Sequence, residues 1–248
     1  MNLSNNTILI IGGTSGIGAA LLDYFYKKGN SIICIASNEL RLQALKSKYS
    51  EIHIKRCDLG NKQEVQELIH YLQLTHPEIN ILINNAAIEE NYNLGDNIDE
   101  NRILDEIQIN LSSPILLING LKKSLINHKQ AAIINVTSAL IYQPKINAAV
   151  YSATKAGLHH FTLALREQFS QTNIKVFELI PPLTDTPLTQ NNPNKKLSVE
   201  KLIKEFVKAI EKDKLDIHVG QSKWIKLLNK ISPNMLMYIL KRRAQNES

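Results

Sequence analysis

The chain has 248 residues, of which 44% are hydrophobic and 21% are charged, with 10 glycines and 8 prolines. These values are typical of a folded globular protein and exclude the collagen-like and disordered classes, while two cysteines, Cys34 and Cys57, are too few for a disulfide scaffold. Of the formal net charge of +6, residues 222–248 carry +5, because six basic residues stand there against Glu247 alone. The nearly neutral body therefore predicts no nucleic-acid-binding face.

The chain is expected to be cytoplasmic. Its cysteine usage favours a reducing compartment. The N-terminal run MNLSNNTILI has no basic residues ahead of its apolar residues, so it does not resemble a signal peptide. No stretch reaches the roughly 20 apolar residues of a membrane-spanning helix.

Short apolar segments alternate with helix-period segments along the chain. The apolar segments are β-branched and almost continuous, which is typical of strands buried on both faces. The predicted strands are Thr7–Ile11, Ser31–Ala36, Glu51–Cys57, Ile79–Ile83, Ala131–Val136, Ile174–Ile180 and Asp216–Val219. The predicted helices lie near residues 17–29, 39–48, 61–75, 99–127, 150–171 and 198–212.

Such an alternation requires right-handed crossovers between parallel strands. It predicts a single doubly wound α/β Rossmann domain of about seven parallel strands with helices on both faces. We expect residues 1–221 to form this dinucleotide-binding and catalytic domain, and residues 222–248 to form a basic amphipathic extension.

A glycine cluster follows the first predicted strand, with Gly12, Gly16 and Gly18 in the spacing Gly-x-x-x-Gly-x-Gly. Residues without a Cβ let a backbone approach a pyrophosphate, and the helix that follows offers free N–H groups and the positive end of its dipole. An ordinary strand-to-helix turn would also use glycines. The position of this glycine cluster after the first strand favours a dinucleotide site.

Tyr151 and Lys155 are four residues apart, so a helix places them on one face. An ammonium beside a phenol is expected to lower the pKa of the tyrosine towards working pH, which suits a general acid that protonates a carbonyl oxygen. Ser138 follows the fifth predicted strand, at the sheet edge where open α/β proteins bind ligands. Its hydroxyl would hold the same oxygen, although a helix cap is the alternative role.

Together, the glycine turn, Asn84-Asn85-Ala86, Ser138 and Tyr151-x-x-x-Lys155 resemble the short-chain dehydrogenase/reductase family in its compact form of roughly 250 residues. The resemblance covers about residues 5–220. It implies that Asn110 is a fourth catalytic residue, which bends its helix and holds a water that relays protons to Lys155. It also implies that Lys155 bonds the nicotinamide ribose and that Asp58 meets the adenine, although an Asp after a strand is also a common helix cap.

The same resemblance implies the remaining cofactor contacts. These are expected to be Gly12, Thr14, Ser15, Gly16, Ile17, Gly18, Ser37, Asn38, Arg41, Asp58, Leu59, Asn85, Ala86, Ala87, Tyr151, Lys155, Pro181, Thr184 and Thr186. Three residues depart from the family pattern: Ile11 replaces a Thr, Ala87 replaces a Gly, and Pro182 replaces the Gly of a Pro-Gly pair. None of them carries the proton transfer, so activity is expected to be retained.

The segment after the second strand indicates which cofactor is bound. A carboxylate there would bond the ribose 2′-hydroxyl of NAD and repel the 2′-phosphate of NADP. The segment reads Ala36-Ser37-Asn38-Glu39, and Glu39 comes too late to be that carboxylate. Ser37, Asn38 and Arg41 are suited to a phosphate, so NADP is expected, with NAD as the alternative.

The substrate is expected to be a small carbonyl compound or alcohol. The resemblance implies that the polar loop from Leu183 to Ser198 closes over it. The adjacent His159 and His160 cannot both face one metal, so no metal site is expected, and a surface or subunit-contact role is favoured. By resemblance this helix packs in a dimer interface, which predicts a homodimer or homotetramer.

In the tail, Trp224, Leu227, Leu228 and Ile231 recur at helical spacing, and Pro233 ends the pattern before Lys241-Arg242-Arg243. One interpretation is a helix pair that packs beside the substrate pocket or across a subunit. The other is an anchor for the anionic inner face of the membrane. The tail and the Pro181-Pro182 loop also resemble oxidoreductases found with bacterial D-alanyl-teichoic-acid genes.

The sequence thus predicts an NAD(P)(H)-dependent oxidoreductase that reduces a carbonyl or oxidises an alcohol by hydride transfer, with Tyr151 as the general acid/base. The alternatives are a dinucleotide-binding regulator without turnover and a membrane or partner scaffold. An enoyl reductase is a third, but similar enzymes space their tyrosine and lysine more widely.

Overall fold

Seven parallel strands form one sheet in the order β3-β2-β1-β4-β5-β6-β7. The computed structural model describes residues 1–93, 95 and 97–245, and for residues 240–245 it describes the backbone alone. The strands are β1 (Thr7–Ile11), β2 (Ser31–Ala36), β3 (His53–Arg56), β4 (Ile81–Asn84), β5 (Ala131–Val136), β6 (Ile174–Ile180) and β7 (Asp216–His218). The predicted doubly wound α/β fold is confirmed.

Helices cover both faces of the sheet. They are α1 (Gly16–Lys27), α2 (Glu39–Lys48), α3 (Lys62–Thr75), α4 (Glu100–Ile107), α5 (Ser113–Ile126), α6 (Ala149–Gln168), α7 (Val199–Ile210), α8 (Ser222–Ile231) and α9 (Pro233–Gln245). One core joins the sheet to α1 and α7 around Phe25 and Phe206, and the other joins it to α3, α5 and α6 around Leu68 and Leu165. Alternate strand residues point to opposite faces, so both sides of each strand must be apolar.

The strand order reverses between β1 and β4, which lie side by side in the sheet. In open α/β sheets this switch point opens a crevice at the carboxyl ends of the strands. The glycine turn follows β1 there, Asn85 follows β4, and Ser138 comes two residues after β5. Residues far apart in sequence are thereby brought to one sheet edge.

Predicted bounds differ from the structure by up to three residues, as in the fourth strand, which is Ile81–Asn84 and not Ile79–Ile83. The third strand is shorter than Glu51–Cys57 because only His53–Arg56 pairs with β2. The helix predicted over 99–127 is α4 and α5 joined by a π-helical turn at Gln108–Ser112. A π turn adds a residue to the helical repeat and therefore changes which side chains face inward beyond it.

The tail forms the helix pair α8–α9, broken before Pro233 as predicted. The α8 face, defined here as Trp224, Leu227 and Ile231, is exposed, with Trp224 and Ile231 each 72% accessible. The side chains of Lys241-Arg242-Arg243 lie outside the described residues. No helix in the described part of the chain combines the length and the apolarity needed to cross a membrane.

Candidate active site

The turn after β1 has the geometry of a phosphate cradle. Gly12 has a φ of +81°, and a Cβ on it would lie 2.7 Å from the Ala86 Cα; Gly16 has a φ of +53°. A Cβ on Gly18 would lie 2.1 Å from the Gly12 carbonyl oxygen. Helix α1 begins at Gly16 with no side-chain cap from Ser15 and no acidic residue in its first turn. Its first N–H groups are thus left for an anion, so this turn fits a dinucleotide pyrophosphate.

A cleft of about 360 Å³ extends from this turn along the sheet edge. Of the residues predicted to bind the cofactor, most line it: Gly12, Thr14, Ser15, Gly16, Ile17, Ser37, Asn38, Arg41, Asp58, Leu59, Asn85, Ala86, Ala87, Tyr151, Lys155, Pro181 and Thr186. Gly18 lies behind the turn, where its missing side chain makes room for the Gly12 carbonyl and the Asn85 amide. Thr184 instead lines a neighbouring cavity.

At the far end of the cleft, Asp58 is not the cap of α3, because Asn61 caps that helix. Asp58 accepts a hydrogen bond from the Gly60 N–H at 2.9 Å. Asn38 caps α2 by accepting from the Arg41 N–H at 2.9 Å. The Glu39 carboxylate accepts from the Gln43 side chain at 2.7 Å and does not line the cleft. Arg41 is therefore the charged residue of the segment after β2 that lines the cleft, and Asp58 lines the cleft as well.

Ser138 has the capping role that the sequence left open. It caps a short 3₁₀ turn at Ala139–Ile141, accepting from the Leu140 N–H at 3.2 Å. Its hydroxyl lines a cavity of about 680 Å³ beside the cleft. Because the cap uses the oxygen as an acceptor, the O–H group is still available as a donor.

Tyr151 lines both the cleft and the cavity, whereas Lys155 lines the cleft. The Lys155 Nζ lies 5.6 Å from the centroid of the Tyr151 ring and donates to the Val136 carbonyl at 3.0 Å. Both side chains are almost fully buried. One face of α6 therefore directs a phenol and an amine at the point where cleft and cavity meet.

The electrostatics of this pair differ from the expectation. Burial raises the pKa of Tyr151 well above its usual value, and the charges of Glu89 and Glu106 add to the increase. Burial also lowers the pKa of Lys155 to about 8, against an opposing effect of Glu89. The expected lowering of the tyrosine pKa is thus wrong for the protein alone, since desolvation and the two nearby carboxylates all raise it.

Asn110 lies in the π-helical turn, as the resemblance implied for a bent helix, but it borders neither the cleft nor the cavity. Its amide accepts from the Ile88 N–H at 2.9 Å and donates to the Ile88 carbonyl at 2.7 Å. The same nitrogen is 3.4 Å from the Thr154 hydroxyl. Asn110 therefore ties the loop after β4 to α6, one residue before Lys155.

The cavity has polar residues that the sequence analysis missed. The Glu89 carboxylate accepts from the Lys145 Nζ at 2.8 Å, and both side chains are largely buried in the wall. Leu140, Leu188 and Ile225 supply apolar wall. No local pattern marks these positions, because the cavity is assembled from loops that are separate in sequence. Asn191 and Lys195 of the predicted covering loop also line it.

Of the two histidines expected to have a surface or subunit-contact role, His160 is exposed and His159 is partly buried; the subunit contact stays a prediction. The His159 Nδ1 lies 2.8 Å from the fully buried Glu178 carboxylate. Helical position alone could not reveal this contact, because Glu178 comes from β6. The described residues contain no group of three or more His, Cys, Asp or Glu side chains able to hold a metal ion.

Comparison with known proteins identifies relatives over most of the chain. A family model described as short chain dehydrogenase matches residues 6–197. The uncharacterized oxidoreductase DltE of Bacillus subtilis (strain 168) is 34% identical over 224 residues, which cover 88% of this chain and 89% of that protein. Both expected resemblances are thereby confirmed.

Solved structures share the fold. A short chain dehydrogenase from Burkholderia cenocepacia J2315, in complex with NADP, superposes with a TM-score of 0.86 at 21% identity and covers 97% of this chain and 99% of its own. One from Burkholderia phymatum, in complex with NAD, has a TM-score of 0.81 at 16% identity, covering 93% of this chain and 95% of its own. At these identities the likeness concerns the fold alone.

Proposed function

The chain belongs to the short chain dehydrogenase family and is an NAD(P)-dependent dehydrogenase/reductase, and from this premise we propose that it reduces a small carbonyl compound, or oxidises the corresponding alcohol, through Ser138, Tyr151 and Lys155. The observation that carries the proposal is the position of Tyr151, which borders both the cleft and the cavity. A substrate in the cavity and a dinucleotide in the cleft would meet at its hydroxyl.

The raised pKa of Tyr151 keeps its phenol protonated at neutral pH. In that state it donates a proton to the carbonyl oxygen during reduction, while the Ser138 hydroxyl donates a hydrogen bond to the same oxygen. A bound nicotinamide would supply the hydride, or accept it in the reverse direction. Lys155 would stabilise the phenolate as the proton leaves, and it would also bond the nicotinamide ribose.

We propose that Asn110 supports this proton transfer from behind α6, where it anchors the water relay to Lys155. Its support in the structure is the π-helical turn and the pair of bonds to Ile88. Both functional groups of its side chain are used in these bonds, so the side chain has a single orientation. Asn110 would then fix the backbone around the relay.

The proposed cofactor is NADP, with NAD as the alternative. The turn Gly12–Gly18 would hold the pyrophosphate, Asp58 and Leu59 the adenine, and Ser37, Asn38 and Arg41 the 2′-phosphate. The support for NADP is a cleft wall on which Arg41 is present while Glu39 bonds Gln43 elsewhere. A guanidinium there favours a phosphate by charge and by its fork of donors.

The proposed reaction is tested by steady-state oxidation of NADPH and NADH with a panel of aldehydes, ketones and 3-keto esters. Tyr151→Phe removes the proton donor but keeps the ring, so kcat should fall by about 10²-fold or more, with cofactor affinity retained. Tyr26→Phe is the matched control, since Tyr26 packs on Tyr49 and lines neither the cleft nor the cavity, and it should keep wild-type kcat.

The same assay separates the alternative function. A wild-type protein that binds NADPH tightly, as seen by fluorescence, yet turns over no substrate would contradict the proposal and favour a dinucleotide-binding regulator. Equal kcat in Tyr151→Phe and wild type would contradict the role given to the phenol.

We further propose that the α8 face contacts an anionic membrane surface from the cytoplasmic side. Trp224, Leu227 and Ile231 form an exposed apolar band on α8, and Lys223, Lys226 and Lys230 are exposed beside it. An apolar band flanked by lysines matches the acyl and headgroup layers of a bilayer. Lys223 also pairs with Glu205 at 2.6 Å, and Lys226 lies 4.0 Å from Asp216. Of the three lysines, Lys230 is the one with no ion pair to a described residue, so it is the cation best placed to meet lipid phosphate.

Flotation of the full-length protein with phosphatidylglycerol vesicles at low salt tests this contact. Wild type should float with the vesicles, and Trp224→Asn/Ile231→Asn should remain at the bottom of the gradient. Vesicles of phosphatidylcholine alone provide the lipid control. Wild-type protein that does not float with anionic vesicles would contradict the proposal, as would equal flotation of the variant.

Two further proposals concern organisation. Residues 1–221 would be the dinucleotide-binding and catalytic domain, and 222–248 the extension that closes the cavity. The chain would form a homodimer or homotetramer, which is favoured by the exposed apolar residues Leu104, Ile107 and Leu163 on α4 and α6. Light scattering on the purified chain measures the oligomer size.

A further inference from the structure

Glu178 is a carboxylate in the interior of the molecule that the proposed mechanism does not use. It lies in β6, one strand from the edge of the sheet, and its side chain has no exposed surface. A buried carboxylate is costly unless donors replace its lost water. Two side chains do so: the Thr137 hydroxyl donates to Oε1 at 2.6 Å, and the His159 Nδ1 lies 2.8 Å from Oε2 and 3.0 Å from Oε1.

One of these donors belongs to the end of β5. Thr137 lies between Val136, whose carbonyl accepts from the Lys155 Nζ at 3.0 Å, and Ser138. Its backbone N–H also donates to the Leu179 carbonyl at 2.9 Å. The Glu178 carboxylate therefore fixes the side chain of Thr137. Thr137 lies between Val136, which accepts the Lys155 bond, and Ser138.

The other donor belongs to α6. His159 follows Lys155 by four residues and Tyr151 by eight, so all three lie along one face of the helix. Both Glu178 oxygens are within hydrogen-bond distance of its Nδ1. A single carboxylate therefore contacts both segments on which the proposed catalytic side chains stand.

Apolar packing alone would hold α6 on the sheet at lower cost. Leu165 of α6 already packs with Val176 of β6 and Ile133 of β5 in the same core. A buried ionisable pair is often no more stabilising than apolar residues of similar volume. What the polar pair adds is a fixed direction, because hydrogen bonds constrain geometry where apolar contacts do not.

We propose that Glu178 and His159 are positioning residues for the reaction. The Glu178 carboxylate holds the end of β5, which carries Ser138, in a fixed position relative to the face of α6 that carries Tyr151 and Lys155. This inference rests on the function proposed above. Misplacement of a catalytic group by about 1 Å can cost up to about 10²-fold in rate, so the loss of this link should appear in kcat.

The decisive variant replaces both partners: His159→Leu/Glu178→Leu. It should remain folded near the wild-type melting temperature, because an apolar pair avoids the desolvation cost and the Thr137 hydroxyl keeps the Leu179 carbonyl, 3.5 Å away, as an acceptor, while kcat falls about tenfold. The KM for NADPH should stay unchanged, since neither residue lines the cleft. His159→Leu alone should also lower kcat, and His159→Gln, whose amide can donate to the carboxylate, should restore most of it.

His160→Leu is the matched control, because His160 is exposed and its side chain, within the described residues, hydrogen-bonds only the Ala156 carbonyl of its own helix. Its ring also lies edge-on to that of His159, with the centroids 5.4 Å apart. The His160→Leu variant should keep wild-type kcat. Glu178→Met is the second variant if the double replacement does not fold; it keeps roughly the volume but removes both acceptor oxygens, so the Thr137 and His159 donors lose their shared partner and kcat should again fall.

Hydrogen exchange gives a readout that does not depend on turnover. The amides of residues 136–140 should exchange faster in the double variant than in wild type, with little change in β1 and α1. Wild-type kcat in a folded double variant overturns the inference, even if exchange is faster, because the link would then be structural alone. A wild-type protein without carbonyl turnover overturns the proposed function instead, so the two failures are distinguishable.

Discussion

At the scale of single residues, burial shifts the pKa values of Tyr151 and Lys155 in opposite directions, and each shift favours the uncharged form of the side chain. The pKa of the phenol rises, and that of the amine falls to about 8. The sequence correctly brings the two side chains to one helix face, but it contains no measure of their desolvation. Local charge alone therefore gives the wrong sign for the tyrosine.

The lowered pKa of Lys155 predicts a pH limit for carbonyl reduction. If the charged amine stabilises the phenolate, kcat/KM should fall as pH rises through about 8, since the amine loses its proton there. The Glu89 carboxylate raises the pKa of Lys155. Glu89→Gln should therefore shift the fall in kcat/KM to lower pH.

A pH profile of kcat/KM for NADPH-dependent reduction checks this sign. Glu51→Gln is a suitable control, because it removes an exposed carboxylate without entering the cavity wall. A profile that is flat from pH 7 to about pH 9, or a Glu89→Gln midpoint above that of wild type, would contradict the electrostatic account.

At the scale of elements, the predicted helix 99–127 shows that apolar periodicity can predict a helix but not a π-helical turn within it. The apolar pattern continues through α4 and α5, but the chain forms a π-helical turn at Gln108–Ser112. Both functional groups of the Asn110 side chain bond to Ile88, which follows β4 in sequence. These contacts are long-range, so no helical period within the segment could predict the turn.

The first turn of α2 gives a prediction about the cofactor. Arg41→Ala should weaken NADPH binding about tenfold and leave NADH binding unchanged, because a phosphate contact is lost that NADH never makes. Fluorescence titration with both cofactors measures the two affinities. Arg56→Ala is the matched control, since Arg56 is paired with Glu64 at 3.1 Å and does not line the cleft.

Equal losses for NADPH and NADH in Arg41→Ala would show that the residue supports the fold of the cleft and not the recognition of a 2′-phosphate. A wild-type affinity more than about ten times tighter for NADH than for NADPH, or 1.4 kcal/mol by the usual conversion, would contradict the NADP proposal itself.

At the scale of the whole molecule, α8 belongs to two surfaces. Ile225 faces inward and lines the cavity, whereas its neighbour Trp224 faces outward and is 72% exposed. Ile225→Asn should raise the substrate KM about tenfold with little change in kcat, because it removes apolar contact that is the same in the ground and transition states. Trp224→Asn should leave the KM of a water-soluble substrate unchanged.

Steady-state kinetics of the two variants with the best substrate of the panel tests this difference between neighbours. A similar rise in KM for both variants would mean that each substitution disturbs the packing of α8 as a whole, and that Ile225 makes no separate contact with the substrate. An unchanged KM in Ile225→Asn would show that the helix pair does not contribute to substrate binding.

The sequence by itself determined the fold class, the order of the elements and the identity of the motifs. These follow from short-range rules: Thr7–Ile11 is apolar throughout because both faces of a parallel strand are covered, Gly12 and Gly16 adopt positive φ values that other residues avoid, and Tyr151 and Lys155 share a face because a helix repeats every 3.6 residues.

Only the tertiary structure decided what these residues experience. The desolvation of Lys155, the Glu89–Lys145 pair in the cavity wall and the contact of His159 with Glu178 each join segments that are distant in the chain. Burial and long-range contact depend on how strands and helices are assembled, and neither a local pattern nor a spacing carries that information.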